Sequence, residues 1–383
     1  GWQVIFVSAA SKPKHYRGFP LGNVKTGTID LNNSSFDKWI AGIEPNIVMF
    51  DRFTTEEQFG WRVADACPGA LRILDTEDLH GLRRAREIAH EKNRDIEKRD
   101  WTNSTALREL ASIYRSDLSL VISTYEMEVL DEIYKIEPSL IHYTPYLLEN
   151  HEFDSGKNPP GYDGRTGFVT IGNFKHAPNR DAVFWLSETI WPKIRNQLTE
   201  AQLNIYGAYS THEMQHLNRP EIGFHVKGWA ASAEDVLKES KVLLAPLRYG
   251  AGLKGKLVDA MRAGTPVVTT SIGAEGMDPD GISWPGYIAE PPAEFAQKAV
   301  ELYQDSEYWH HCQKSGFSLL REIFDKKEHG PKLVDKIEYL VANLDEHRIA
   351  NITGQMLTLE KHRSTKYLSR WIELKEQIKA GLH

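Results

Sequence analysis

The sequence has few cysteines, no long apolar run and no excess of basic residues. Its two cysteines, Cys67 and Cys312, stand far apart without other ligands at metal-binding spacing, so neither a disulfide framework nor a zinc site is indicated. No apolar run reaches the length of a membrane span, and the amino end shows no signal-peptide pattern. A formal net charge of -7 argues against a nucleic-acid partner. These absences predict a cytoplasmic protein with at most peripheral contact at the inner membrane surface.

The chain has 383 residues, of which 41% are hydrophobic and 26% charged. That balance is typical of a folded protein, and the length predicts two domains, because single hydrophobic cores rarely grow this large. A cleft between the two domains is then available for a ligand.

Short apolar runs rich in β-branched residues recur in the first half and predict buried parallel strands over 4–7, 46–50, 71–74, 118–122 and 140–143. Helical stretches lie between them, at 55–66 and over the charge-rich segment 82–114. This alternation is typical of an α/β domain, which we place at residues 1–150. The glycine- and proline-rich segment after this domain predicts a linker over 151–165.

A second series of strands and helices predicts a doubly wound domain over 166–325. The expected strands are 168–171, 203–206, 224–226, 242–245 and 267–270, with helices near 181–198 and 256–263. Beyond this point the sequence is charged and helical without strand signals, so residues 326–383 are predicted to be C-terminal helices that cross back to the first domain.

The window over residues 244–268 reads as a strand, a glycine-rich turn, a helix and another strand. Gly250 and Gly252 let the backbone approach a ligand closely, and the first amides of the following helix form an anion site. Lys254 and Lys256 add positive charge, so the window predicts a diphosphate site, with Asp259 placed to accept hydrogen bonds from a ribose. The alternative is that the glycines only make a tight connection, but turn chemistry does not call for two lysines among them.

This window resembles the donor loop of retaining GT-B glycosyltransferases of the family 4 type, the group 1 glycosyl transferases. The segment 259–268, which begins Asp-Ala-Met and ends Pro-Val-Val, matches the second acidic position of the family pattern and the residues after it. Ala251 stands at the first acidic position. The resemblance therefore implies that backbone amides near Gly252 and Leu253 hold the donor sugar in place of a carboxylate.

A second stretch, residues 168–182, resembles the first strand and loop of the family's donor domain. The resemblance implies that Gly172 and Lys175 lie at the donor phosphates. For Lys175 the alternative is a solvated loop lysine. The fold implied is GT-B, with two Rossmann-like doubly wound α/β domains facing each other across a cleft and a C-terminal helical tail.

The end of the strand at 71–74 is followed by polar, titratable residues that face the expected cleft. Relatives carry a His or Asp at this strand end that helps to bind the sugar or the acceptor, which makes Asp78 and His80 the candidate catalytic residues. The alternatives are a helix cap for Asp78 and a packed or exposed His80. The later segment 123–126 has capping-box spacing and predicts a helix start without chemistry.

The resemblance implies transfer of a sugar, with retention at the anomeric carbon, from a UDP- or GDP-sugar to a hydroxyl of a glycan, a lipid-linked glycan or a protein. It implies neither a metal nor a cofactor beyond the donor. The segment 1–7 resembles the second strand of such a domain, so the first strand is expected to be missing. Two alternatives stay open: a non-catalytic nucleotide-sugar-binding GT-B protein, and a GT-B epimerase or phosphorylase.

Overall fold

A computed structural model describes residues 2–11, 24–153, 159–279 and 281–379. Its first sheet is small and parallel, with β1 (Ile5–Ser8) paired to β2 (Lys25–Thr28). The sequence predicted a buried strand here. The strand is present, but the prediction that it is buried was wrong. Ile5 and Phe6 are 40% and 45% exposed, because β1 pairs with β2 and not with the larger sheets.

The first large sheet is parallel, in the order β3-β4-β5-β6. The predicted helix over 82–114 is three helices, because Asn93 adopts a positive φ of 48° that ends the first, and the Asn103 side chain caps the start of the third. We call this sheet with its helices the first unit. Its elements are α1 (Ser35–Ile43), β3 (Ile47–Asp51), α2 (Arg52–Ala66), β4 (Leu71–Asp75), α3 (His80–Glu91), α4 (Lys98–Trp101), α5 (Ser104–Arg115), β5 (Leu118–Val121), α6 (Thr124–Glu128), β6 (Ile141–Tyr143) and α7 (Asn150–Phe153).

The second large sheet has six parallel strands in the order β12-β11-β10-β7-β8-β9, which is the Rossmann order with its reversal between β7 and β10. We call this sheet with its helices the second unit. Its elements are β7 (Phe168–Ile171), α8 (Ala177–Trp185), α9 (Trp191–Arg195), β8 (Leu203–Tyr206), α10 (His212–His216), β9 (Phe224–Gly228), α11 (Ala233–Glu239), β10 (Val242–Ala245), α12 (Gly255–Arg262), β11 (Val267–Thr269), α13 (Ser271–Ala274), β12 (Gly286–Ile288), α14 (Pro292–Gln304) and α15 (Ser306–Phe324).

Part of the predicted linker over 151–165, namely residues 154–158, lies outside the described residues. At the end of this segment Arg165 is 1% exposed and donates hydrogen bonds to the backbone oxygens of Pro160 and Ala263 and to Thr265 Oγ1. These bonds fix the last residues of the segment to the second unit.

The C-terminal helices lie against the first unit. They are α16 (Lys326–Ala342), α17 (Leu344–Ala350) and α18 (Ile352–Lys379). Leu148 and Asp325 form a β-bridge where the chain passes between the units a second time. Arg348 binds both carboxylate oxygens of Asp117 at 2.8 and 2.7 Å, and Arg62 Nη2 donates to Ser369 Oγ at 2.8 Å. Across the described ranges, no helix combines the length and apolarity that a membrane span requires.

Candidate functional site

The candidate site lies where the order of the second sheet reverses. Strands β7 and β10 are neighbours in the sheet, and the loops that follow their carboxyl ends lead away to opposite sides of this point. Open α/β sheets bind ligands in the crevice between two such loops. The loop after β10, residues 246–254, is here named the glycine loop. Helix α12 follows it directly, with Lys254 as N-cap and no side-chain cap, so its first amides have no partner within the helix. A helix start with free backbone amides is a typical anion-binding site.

At two positions of the site, a side chain larger than that of glycine would come too close to a neighbouring residue. Gly252 has a φ of +63°, and a Cβ added to it would lie 2.7 Å from Cβ of Asp78, a residue of the first unit. Gly172, after β7, would place a Cβ 2.9 Å from Cγ of Asn179. The first contact brings a predicted loop residue and a predicted catalytic residue together across the cleft.

The two lysines of the window have different surroundings. Lys254 is 8% exposed, and its Nζ donates to Gly252 O at 2.5 Å and to Ala251 O at 3.2 Å. Burial lowers the pKa of Lys254, against the opposing charges of Glu275 and Glu126. Its ammonium therefore braces the glycine loop itself.

Lys256 lies in the first turn of α12, and its Nζ donates to Asn179 Oδ1 at 2.7 Å. Burial and the nearby Lys254 charge lower the pKa of Lys256 to about 8. Asp259 is also on α12, but its charged neighbours are Arg262, at 3.6 Å, and Glu234. The structure thus joins Lys256 to the start of α8, which follows the loop after β7. The charged neighbours of Asp259 are not among the predicted site residues.

Asp78 and His80 lie at the start of α3. The N-cap of α3 is Leu79, without a side-chain cap bond, so the capping alternative for Asp78 does not hold. The Asp78 carboxylate accepts a hydrogen bond from Arg83 Nη1 at 2.5 Å and lies 3.3 Å from His80 Nδ1. Burial lowers the pKa of His80, but a hydrogen bond to Glu109 and the Asp78 charge outweigh it and raise the pKa overall.

A pocket of about 320 Å³ lies between the two units and brings His80 and Lys175 to one cavity. Lys175 Nζ lies 3.9 Å from the ring centroid of Tyr209, which leaves the ammonium beside a polarisable face. Most of the titratable lining side chains are cationic or imidazole groups, so the pocket suits a polar or anionic ligand. Its lining is His80, Arg83, Arg84, Glu87, Thr105, Lys175, His176, Ala177, Pro178 and Tyr249.

Glu126 is a site residue that sequence reasoning missed. Helix α6 begins at Thr124 as predicted, but Ser123 makes no side-chain cap bond, so the expected capping box does not form. Glu126 is fully buried, and its Oε1 accepts hydrogen bonds of 2.8 Å from the amides of Leu79 and Gly252. These partners lie 47 and 126 residues away in the sequence, so no local pattern carried the signal.

Within the described ranges, no group of three or more His, Cys, Asp or Glu side chains has the arrangement of a metal site. Residues 165–305 match the model of the family described as glycosyl transferases group 1. No curated protein matches the chain.

Three solved structures illustrate the likeness in fold. A variant of S. aureus TarM, solved in complex with fondaparinux, alpha-GlcNAc-glycerol and UDP, is 13% identical over 79% of this chain and 58% of its own, with a TM-score of 0.60. Sucrose-phosphate synthase from Thermosynechococcus elongatus is 15% identical over 89% of this chain and 90% of its own, with a TM-score of 0.66. Anabaena HepE, solved with UDP and glucose, is 12% identical over 82% and 86%, with a TM-score of 0.56.

The chain thus spans only a little more than half of the length of TarM, at 58%. Sequence identities this low support a shared fold and no shared activity, and this chain shares its fold with all three structures. The two parallel sheets, the cleft and the returning helices agree with it. The protein therefore has the GT-B fold, and its second unit matches the group 1 glycosyltransferase family.

Proposed function

We propose that the protein is a glycosyltransferase that moves a sugar from a nucleoside diphosphate sugar to an acceptor hydroxyl, with retention at the anomeric carbon. The observation that carries the proposal is the uncapped amino end of α12, with Lys256 in its first turn, at the reversal point of a Rossmann sheet. The match of residues 165–305 to group 1 glycosyltransferases supports the same function.

The donor diphosphate binds at the start of α12 in this proposal. The helix dipole and the Lys256 ammonium offset the charge that builds on the leaving diphosphate. Lys175 and Gly172, in the loop after β7, face the same phosphates from the other side of the reversal point, and Leu253 approaches the sugar by its backbone. Gly250 and Gly252 shape the loop, because Gly250 O and both backbone polar groups of Gly252 are already bound by protein side chains. Because protein groups supply the positive charge, the proposed reaction needs no metal ion.

The first unit supplies the acceptor side. His80 lines the pocket between the units, and its hydrogen-bonded neighbours Asp78 and Glu109 hold the ring in place. Retention then results from departure of the diphosphate and attack by the acceptor on one face of the sugar, guided by a phosphate oxygen. No covalent intermediate with a protein carboxylate is invoked, since a double displacement would need a carboxylate placed as nucleophile.

The donor is proposed to be a UDP- or GDP-sugar and the acceptor a glycan, a lipid-linked glycan or a protein. UDP in the TarM and HepE complexes supports the choice of nucleotide. A location in the cytoplasm, with peripheral contact at a membrane for a lipid-linked acceptor, is part of the same proposal.

One observation favours a second candidate, a nucleotide-sugar-binding protein without catalysis. Ala251 stands where the family pattern has an acidic residue, and it is 9% exposed and packed into the core of the first unit. A carboxylate is therefore absent from that position of the glycine loop.

Calorimetric titration with UDP, GDP, ADP and TDP and their sugar conjugates tests the donor site, with Lys256→Ala beside the parent. Release of nucleoside diphosphate only with an acceptor, unaffected by EDTA, supports a metal-independent transferase, and the anomeric signals of the product in NMR decide retention. Donor conversion without acceptor would indicate an epimerase, dependence on inorganic phosphate a phosphorylase, and binding without turnover the non-catalytic protein.

A further inference from the structure

The glycine loop is held from the first unit by two buried charged side chains. Glu126, on α6, accepts the amide hydrogen of Gly252 at 2.8 Å. Arg86, on α3 and 8% exposed, donates to the Gly250 carbonyl oxygen at 2.8 Å. Two backbone groups of the loop, a donor and an acceptor, are thus bound by side chains from across the cleft.

Arg86 makes a second contact with the second unit. Its Nη1 and Nη2 donate to the two carboxylate oxygens of Glu275 at 2.8 and 2.5 Å. A bidentate pair of this kind fixes direction as well as distance. One turn further along α3, His90 stacks on Tyr249 of the glycine loop with ring centroids 5.0 Å apart. The same face of α3 therefore contacts the loop at successive points.

Burial of the Glu126 carboxylate carries a large desolvation cost. Its Oε2 is buried without a hydrogen-bond partner among the described residues. Burial and the Asp78 charge raise the pKa of Glu126, against the two amide hydrogen bonds and the Lys254 charge. A buried carboxylate that is only half satisfied destabilises a protein, so its position under the glycine loop calls for a role there.

We propose that Glu126 and Arg86 are positioning residues that hold the glycine loop in its ligand-binding shape, so that the donor site is complete only while the two units touch. The proposal rests on the proposed function for the identity of the ligand, a nucleoside diphosphate. Separation of the units removes the partners of Gly250 O and Gly252 N together, and the loop then loses the conformation that places α12 and its lysines.

Hydrogen-deuterium exchange of the full chain without ligand tests the loop directly, in a peptide spanning residues 248–256. Glu126→Ala and Arg86→Ala are expected to speed exchange there at least tenfold. Glu126→Gln keeps an acceptor oxygen for Gly252 N. The exchange rate of this variant in the same peptide is therefore expected to stay within about threefold of the parent rate. Because Gln keeps the shape of Glu, this variant also separates lost hydrogen bonding from misfolding.

Glu56→Ala is the matched control. Glu56 is a carboxylate of the first unit that is 4% exposed and accepts from Arg115 Nε at 2.9 Å, without a contact to the glycine loop among the described residues. It is expected to speed exchange around α2 and to leave residues 248–256 unchanged. Unchanged loop exchange in both Glu126→Ala and Arg86→Ala, or equal acceleration in Glu56→Ala, would overturn the proposal.

Titration with UDP supplies the second readout. We expect Glu126→Ala and Arg86→Ala to weaken UDP binding at least tenfold, with Glu126→Gln near the parent. A parent that binds no nucleoside diphosphate would defeat the proposed function while the exchange result still decides the role of the two side chains. Loop acceleration with unchanged UDP affinity would overturn the link between loop shape and ligand binding.

Discussion

Gly252→Ala tests whether the two units meet as tightly at the glycine loop as the geometry indicates. Gly252 has a φ of +63°, in the left-handed region that an alanine enters only with strain. The added Cβ would lie 2.7 Å from Asp78 Cβ and 3.3 Å from Glu77 O, both in the first unit. The substitution therefore strains the backbone and pushes the units apart.

The two costs can be given separate magnitudes. Left-handed backbone costs an L-residue about 1–2 kcal/mol. Carbon atoms pack best at about 3.5–4.0 Å, so the loop or Asp78 must move by about 1 Å, and overpacking of this kind costs about 1–3 kcal/mol. Displacement by about 1 Å at a reacting site lowers turnover by about 100-fold. We expect Gly252→Ala to lose about 2–5 kcal/mol of unfolding free energy and about 100-fold in activity.

Gly228→Ala separates the two costs. Gly228 has a φ of +76°, and a Cβ added to it meets nothing within 4 Å. Chemical denaturation of both variants, with m-values compared to confirm the same transition, gives the difference that is due to the clash. Small-angle scattering then reports whether Gly252→Ala widens the cleft.

Equal destabilisation in the two glycine variants would refute the reasoning, since it would leave the strain of the backbone as the only cost. A parent-like scattering profile with parent-like transfer activity in Gly252→Ala would likewise show that the loop does not meet Asp78 at this distance.

Three further predictions concern charge. UDP affinity should fall roughly tenfold between pH 7 and 9, because the Lys256 ammonium, with a pKa of about 8, loses its proton over this range, and calorimetry should find no such fall in Lys256→Ala. Asp78→Asn should lower kcat about 100-fold with UDP affinity within about threefold of the parent, in steady-state kinetics with matched titrations. Arg348→Ala should destabilise the protein by about 3–5 kcal/mol, because it leaves the buried Asp117 carboxylate without its main partner. Burial raises the pKa of Asp117, but Arg348 and Arg72 outweigh it and lower the pKa. This stabilisation is therefore complete well above the unfolded value near 3.8, shrinks below that value and is lost as pH falls through the lower folded pKa. Denaturation curves at pH 7 and at pH 3 should therefore show the parent and Arg348→Ala converging at low pH.

The strands of both large sheets, except β12 at Gly286–Ile288, were predictable because their signal is local. Buried parallel strands are short runs of apolar residues, and the strands at Leu71–Asp75, Phe168–Ile171 and Val242–Ala245 lie within one residue of the predicted bounds. The exposure of Ile5–Ser8 was not predictable, because an edge or isolated strand can have the same composition as a central one.

The candidate site was predictable only in part. The glycine-lysine window indicates an anion site through residue types and spacing alone, as with Lys256 at the start of α12. Asp259 has the right spacing along the helix, and its contact with a ribose stays a prediction. Its charged neighbours in the structure are Arg262 and Glu234. Helical spacing gives the face of a side chain but not what packs against it.

The sequence by itself determined the α/β class, the order of most strands and helices, and the glycine-rich turn that opens α12, because periodicity and turn chemistry act over a few residues. Only the tertiary structure decided what holds that turn. Glu126 and Arg86 reach Gly252 and Gly250 from 126 and 164 residues away, and such contacts depend on how two folded units meet. Burial then sets the properties of these groups, since the same glutamate in a solvated capping box would be an ordinary surface acid.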